Sequence, residues 1–140
     1  FRPEAVVAYG GDMRTVCYLR IERLGEMDAE EVDSMLAPLS VERKRRKHVG
    51  MPIQTVPLEY WVTRRLESEC DVAPGFVHEF TRAADVLRDR DWAGKISITA
   101  VVARYLAEGE MPTGPYLNRS LIAALAAIDA DLDVDVVPEL

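Results

Sequence analysis

Four aspartates alternate near the end of the chain and suggest the ligand row of a calcium loop. They are Asp129, Asp131, Asp133 and Asp135. An EF-hand loop also needs glycine at its sixth position and a bidentate glutamate at its twelfth. Counted from Asp129, those positions hold Val134 and Leu140. We therefore predict no metal site, and we assign Asp133 and Asp135 to the polar face of a strand.

Nucleophilic catalysis requires a serine or cysteine beside a histidine that a third group orients. The chain has two histidines, His48 and His78, and the nearest candidate pair is Cys70 with His78. The sequence shows no third member for this pair, no glycine-rich phosphate loop and no Cys-x-x-Cys motif. We predict no catalytic residue and no cofactor, and the pattern favours a protein that is not an enzyme.

One run of the sequence is strongly basic and precedes His48: Arg43, Lys44, Arg45, Arg46 and Lys47. Such a patch can hold phosphate or an acidic partner. The interpretation we favour is a solvated edge strand whose charge discourages strand-to-strand aggregation. No aromatic residue is interleaved with these cations, and the net charge is −7, so nucleic acid is not the expected partner. If the partner is a protein, the net charge favours a basic one.

The first helix has a clear start signal, which shows how the chain positions these residues. A strand over 14–22 leads into Asp28, whose side chain is expected to accept the backbone N–H of Glu31 while Glu31 reaches back to Asp28. Met27 and Val32 are placed to pack across this turn, and Pro38 ends the helix. A strand followed by a sharply started helix indicates a mixed α/β domain.

The same alternation of strand and helix patterns continues along the chain. The predicted elements are strand 14–22, helix 29–37, a possible edge strand from residue 39, strand 59–66, helix 74–91, strand 95–106, a helix capped by Asn118 and strand 132–136. The order β-α-β-β-α-β-α-β predicts an α+β fold, a mixed or antiparallel sheet of four to five strands with helices packed on one face. Residues 1–13 are expected to be an N-terminal extension, and 14–140 a single domain.

Such a fold leaves one face of the sheet open, and that face is the candidate binding surface. If the helices cover Ile21, Ile98 and Val134, alternation puts six candidate binding residues on the other side: Tyr18, Arg20, Trp61, Arg65, Asp133 and Asp135. Aromatic residues and arginine dominate interface energetics, so this face could dock a partner or a second copy. The alternative is that its arginines and aspartates only pair across strands.

Several motifs occur in the order found in a known bacterial family. They are Cys17-Tyr-Leu-Arg-Ile21, Asp28-Ala-Glu-Glu31, the basic run, Trp61, the Leu117-Asn118…Leu121…Leu125 helix and Ala130-Asp-Leu-Asp-Val-Asp135. Over residues 14–137 the chain resembles the domain-of-unknown-function family numbered 4279. The resemblance implies a small cytoplasmic bacterial protein and brings no activity with it. The chain departs from that pattern where Asp135 is followed by Val-Val instead of an aromatic residue.

Two functions follow as expectations. The first is a non-enzymatic protein-binding module, for example a toxin-immunity-like factor that neutralises a basic toxin, or a homodimer. The alternative is a small-molecule-binding protein or enzyme with a pocket between the sheet and the loop 47–58, contacted by Trp61 and Arg65. Two cysteines predict a reduced, cytoplasmic protein, and no apolar stretch is long enough to cross a bilayer.

Overall fold

The computed structural model describes residues 14–24, 27–46, 59–69, 72, 74–88, 92, 94–107, 109 and 115–138. Within these residues the chain forms six strands and three helices. In chain order they are β1 (Arg14–Arg23), α1 (Ala29–Leu36), β2 (Val41–Arg45), β3 (Glu59–Thr63), β4 (Leu66–Ser68), α2 (Pro74–Arg88), β5 (Ile96–Leu106), α3 (Arg119–Ala127) and β6 (Asp131–Pro138).

The six strands form one mixed sheet in the order β2-β3-β1-β5-β6, with β4 also paired to β1. Only β5 and β6 run parallel among the described pairs, and they are joined through α3. The α+β fold with an open sheet is therefore confirmed. The count rises to six because the strand predicted over 59–66 is broken into β3 and β4, which follow each other along the same edge of β1.

One face of the sheet and all three helices share a single hydrophobic core. Alternate residues of the two long central strands point into it: Cys17, Leu19, Ile21, Ile96, Ile98, Ala100 and Val102. The helices contribute residues at helical spacing, for example Val32 and Leu36 from α1, Phe76 and Phe80 from α2, and Leu121 from α3. Burial of these apolar stripes is the main stabilising term of the fold.

The other face, called here the open face, carries the alternate residues of the same strands. Register places Tyr18, Arg20 and Glu22 of β1 there, beside Tyr60 and Val62 of β3. Not all of it is exposed, since Val16 and Val101, which belong to this face by register, are each only 4% exposed. The accessible parts lie towards the two edges of the sheet, at β3 and β2 on one side and at β6 on the other.

The predicted N-caps Asp28 and Asn118 are confirmed, with one difference in the hydrogen bond that Asp28 makes. Asp28 caps α1, but its carboxylate accepts the backbone N–H of Glu30 instead of Glu31. A hydrogen bond with the side chain of Glu30 and this bond from its backbone N–H lower the pKa of Asp28. Asn118 caps α3 and accepts from Leu121 at 2.9 Å. Ile122 of α3 is 54% exposed, because it lies one position away from the buried Leu121.

No helix in the described part of the chain is both long and apolar enough to cross a membrane. The predicted N-terminal extension 1–13 and the loop 47–58 of the pocket hypothesis lie outside the described residues.

Candidate functional site

A β-bulge shapes the open face between β3 and β4. Val62 lies opposite Arg20, while Leu66 lies opposite Cys17, so the pairing gains one residue between these two points. The three residues Thr63, Arg64 and Arg65 therefore face only two residues of β1, Leu19 and Tyr18, and one extra residue of this kind is a β-bulge. The alternation of side chains is reset at this point of the strand.

Thr63 compensates for the ladder hydrogen bonding that the bulge disturbs. Its hydroxyl Oγ1 accepts the backbone N–H of Leu19 at 2.8 Å. A backbone donor next to the buried core is costly when it has no acceptor. The side chain of Thr63 thus supplies the partner that a regular strand would supply from its backbone.

Two tyrosine rings on neighbouring strands each lie under an arginine. The guanidinium carbon of Arg65 is 5.0 Å from the ring centroid of Tyr18, and that of Arg46 is 4.6 Å from the ring of Tyr60. These are cation–π distances, each worth about 0.5–1 kcal/mol at exposed sites. The stacks hold both long cationic side chains against the sheet, so they lose less freedom on binding.

Glu22 pairs with two cations of this region, Arg46 and Arg20. Arg46 Nη2 lies 2.9 Å from Glu22 Oε2 and forms a hydrogen bond, and Arg20 Nε lies 3.3 Å from Glu22 Oε1. In the described part of the chain, no carboxylate lies within ion-pair distance of Lys44 or Arg65. Among the described residues, two cations of this region therefore share one acid and two have none.

These side chains enclose a shallow concavity of about 240 Å³. It is lined by Tyr18, Arg20, Lys44, Arg46, Tyr60, Val62 and Arg65. We name this set the tyrosine–arginine concavity. Its lining includes four cations, two phenols and one apolar residue, and it contains no histidine or cysteine. The local charge is positive although the whole chain carries −7.

The basic run does not form one patch, because β2 alternates. Lys44 points to the open face, while Arg43 lies opposite Trp61 and points to the helix side. There Arg43 Nη1 is 2.9 Å from Asp33 and 3.7 Å from Glu30, and its Nη2 is 3.7 Å from Glu59.

The charges around Arg43 and Glu59 shift both pKa values in the direction of a stable ion-pair network. Partial burial disfavours the charged form of Arg43, but the hydrogen bond and charge of Asp33, with Glu30 and Glu59, outweigh this and raise its pKa. Arg45 is exposed, and its charge contributes to lowering the pKa of Glu59. Lys47 lies outside the described residues.

The assignment of Trp61 to the open face was wrong. Trp61 is fully buried in the core, where its indole Nε1–H donates to Asp33 Oδ1 at 2.7 Å. Arg65, four residues later, does lie on the open face because the intervening bulge reverses the alternation. Trp61 therefore joins β3 to α1 and contacts no ligand site.

The structure brings together only three of the six predicted open-face residues: Tyr18, Arg20 and Arg65. Asp133 and Asp135 lie on the same face, but on β6, where they pair in register with Val101 and Ala103 of β5. Arg20 pairs with Glu22 instead of these aspartates.

Among the described residues no three His, Cys, Asp or Glu side chains are grouped so as to hold a metal ion.

Other predicted chemistry falls outside the concavity. His78 is exposed on α2, and Cys70 lies outside the described residues, as does the loop 47–58 that was expected to border a pocket. Sequence reasoning missed Tyr60 and Val62. The signal for both was the choice of face for β3: once Trp61 is placed in the core, its neighbours must point to the open side.

Comparison with known proteins adds no relative. No family model, no curated protein and no solved structure matches the chain. The resemblance to family 4279 therefore stays a prediction that depends on the residues quoted for it.

Proposed function

We propose that the chain is a non-enzymatic binding module that docks a protein partner on the tyrosine–arginine concavity. The observation that carries this proposal is the pair of arginine-covered tyrosines, Tyr18 and Tyr60, on adjacent strands of the face that no described helix covers. Tyrosine and arginine are the residue types most enriched among energetic hot spots of interfaces. A cytoplasmic location and an immunity-like role belong to the same proposal.

Two features make this surface suitable for docking. The cationic side chains are restrained by stacking and by Glu22, which reduces the entropy that binding must overcome. Val62 provides an apolar floor between them, so a partner can bury apolar area as well as pair charges.

Site-specific photo-crosslinking in lysate of the source organism tests this function. A benzoyl-phenylalanine replaces Tyr18 in one variant and Ile122, exposed on α3, in the control. We expect one discrete crosslinked protein from the Tyr18 position alone. Once that protein is purified, Tyr60→Ala is expected to weaken its binding about tenfold or more. Crosslinks from both positions or from neither, or a partner indifferent to Tyr60→Ala, contradict the proposal.

A small-molecule ligand is the second candidate, because the site is concave. At about 240 Å³ it is smaller than the roughly 300–1,000 Å³ of typical ligand pockets. It therefore fits the side chains of a docked segment better than a whole ligand. A thermal-shift screen of metabolites and nucleotides tests this candidate, and stabilisation that Arg65→Gln abolishes would favour it over a protein partner.

A further inference from the structure

We infer that the partner presents an acidic, extended segment with two carboxylates flanking an apolar residue, in the pattern acid–x–apolar–x–acid. This inference rests on the proposed function and adds the chemistry of the partner. It differs from the basic partner expected from the net charge, because the charge of the contact surface decides recognition and not that of the whole chain.

The first step concerns which cations are available. Arg20 and Arg46 share the carboxylate of Glu22, at 3.3 and 2.9 Å. Lys44 and Arg65 have no such acid among the described residues, although both line the concavity. Carboxylates of a partner would pair with these two cations. The guanidinium of Arg65 is already positioned over Tyr18 to receive one of them.

The second step concerns spacing. Lys44 is in register with Tyr60, and Tyr60 with Glu22, whereas Arg65 faces Tyr18, four residues along β1 from Glu22. Strand rises of about 3.3 Å and spacings of about 4.8 Å put the Cα atoms of Lys44 and Arg65 about 14 Å apart. The guanidinium of Arg65 is held over Tyr18, at the opposite end of this span from Lys44, so we assign one acid to each cation.

The third step gives the segment its conformation. In an extended chain, residues i, i+2 and i+4 point to one side and span about 13 Å. Acids at i and i+4 therefore reach Lys44 and Arg65, while residue i+2 lies over Val62, midway between the two rows. An apolar side chain at i+2 gains buried area against Val62 and the tyrosine rings.

The bulge and the strand alternation offer a control matched in charge. Arg45 and Arg64 are the sequence neighbours of Lys44 and Arg65 and are exposed on the other side, where Arg64 lies 3.6 Å from Glu79 of α2. The double variants K44Q/R65Q and R45Q/R64Q carry the same net charge, so any long-range electrostatic effect is equal in both.

The experiment is fluorescence anisotropy on the full chain at low ionic strength, where surface charge is least screened. The probe is a fluorescein-labelled Ser-Glu-Ser-Leu-Ser-Glu-Ser peptide, with a second peptide carrying Gln for both Glu. We expect K44Q/R65Q to weaken binding about tenfold and R45Q/R64Q to leave it within about twofold. We expect the Gln peptide to bind wild type as weakly as the Glu peptide binds K44Q/R65Q.

Three results overturn the inference: no binding of the Glu peptide, equal weakening in both double variants, or displacement of the peptide by inorganic phosphate or a single-stranded oligonucleotide at the peptide's own concentration. Failure here is distinguishable from failure of the proposed function. If a crosslinked partner requires Tyr60 for binding but binds K44Q/R65Q as well as wild type, the acidic segment is contradicted and the docking face is still supported.

Discussion

Arg64 and Arg65 are adjacent in the chain and lie on opposite sides of the sheet. Arg64 reaches Glu79 of α2 at 3.6 Å, and Arg65 stacks on Tyr18 at 5.0 Å. Both belong to the bulge, whose extra residue lets the strand present Trp61 and Leu66 to the core and still place Arg65 in the concavity. The bulge thus accommodates one extra residue between Thr63 and Leu66 while the residues on either side of it keep their faces.

Deletion of Arg64 is expected to convert β3 and β4 into one regular strand, and no other side chain is expected to change its face of the sheet. Thr63 would then oppose Leu19, and Arg65 would still oppose Tyr18. We expect the free energy of unfolding in urea to change by no more than about 1 kcal/mol, and peptide binding to be retained. Deletion of Thr99 from the unbroken β5 is the control, and it should prevent folding because later core residues change faces. If both deletions cause the same loss of structure, the claim that Arg64 is the extra residue of a bulge is contradicted.

Thr63→Val should destabilise the protein by about 1–2 kcal/mol, because it removes the acceptor of the Leu19 N–H while conserving shape. Thr63→Ser keeps the hydroxyl and is expected to cost less than half as much. Urea unfolding of the three proteins measures the difference. A serine variant as unstable as the valine variant would show that the methyl group, and not the hydrogen bond, matters at this position.

Asp33→Ala should cost about 2 kcal/mol, because the buried Trp61 Nε1–H loses its acceptor. Asp33→Asn retains a side-chain oxygen for Trp61 and should recover most of that loss, although the ion pair with Arg43 is removed. Unfolding followed by tryptophan fluorescence in a Trp92→Phe background measures both variants. If Asp33→Asn is as unstable as Asp33→Ala, the ion pair outweighs the indole hydrogen bond.

Glu59 makes the stability depend on pH. Burial alone would raise its pKa, but a backbone hydrogen bond and the charges of Arg23, Arg45 and Arg43 outweigh it and lower the pKa below 4.5. Since the folded-state pKa is lowered, the stabilisation by the Glu59 carboxylate is complete above its unfolded-state pKa. It is lost as pH falls through the folded-state pKa.

We therefore expect Glu59→Gln to be less stable than wild type at pH 7 by about 1 kcal/mol, after allowing for solvent screening of its 3.0 Å contact with Arg23. The difference should narrow below pH 4.5. Urea unfolding across the acid range measures it. A difference independent of pH would show that packing, not charge, sets the effect of this residue.

Much of the fold was predictable because local signals agreed with the global pattern. The caps at Asp28 and Asn118, the stripe of α2 and the alternation of β5 each identify one element and its buried side. The position of Trp61 was not predictable by alternation, because one extra residue between Thr63 and Leu66 reverses parity and leaves no clear mark in composition.

The candidate site was only half predictable for a related reason. A run of five basic residues suggests one patch, but a strand divides neighbours between two faces, so Lys44 joins Tyr60 while Arg43 joins Asp33. Which cations remain without an acid depends on contacts between strands distant in the chain, such as Glu22 with Arg46. Sequence spacing does not report these contacts.

The central claim is that the open face around Tyr18 is the binding surface. Amide chemical shifts of the isotope-labelled protein, titrated with the Ser-Glu-Ser-Leu-Ser-Glu-Ser peptide, test it most directly. We predict saturable shifts at Tyr18, Arg20, Tyr60, Val62 and Arg65, with α2 and α3 unaffected. Shifts concentrated on the helices, or no saturable shift on β1 and β3, would contradict the account.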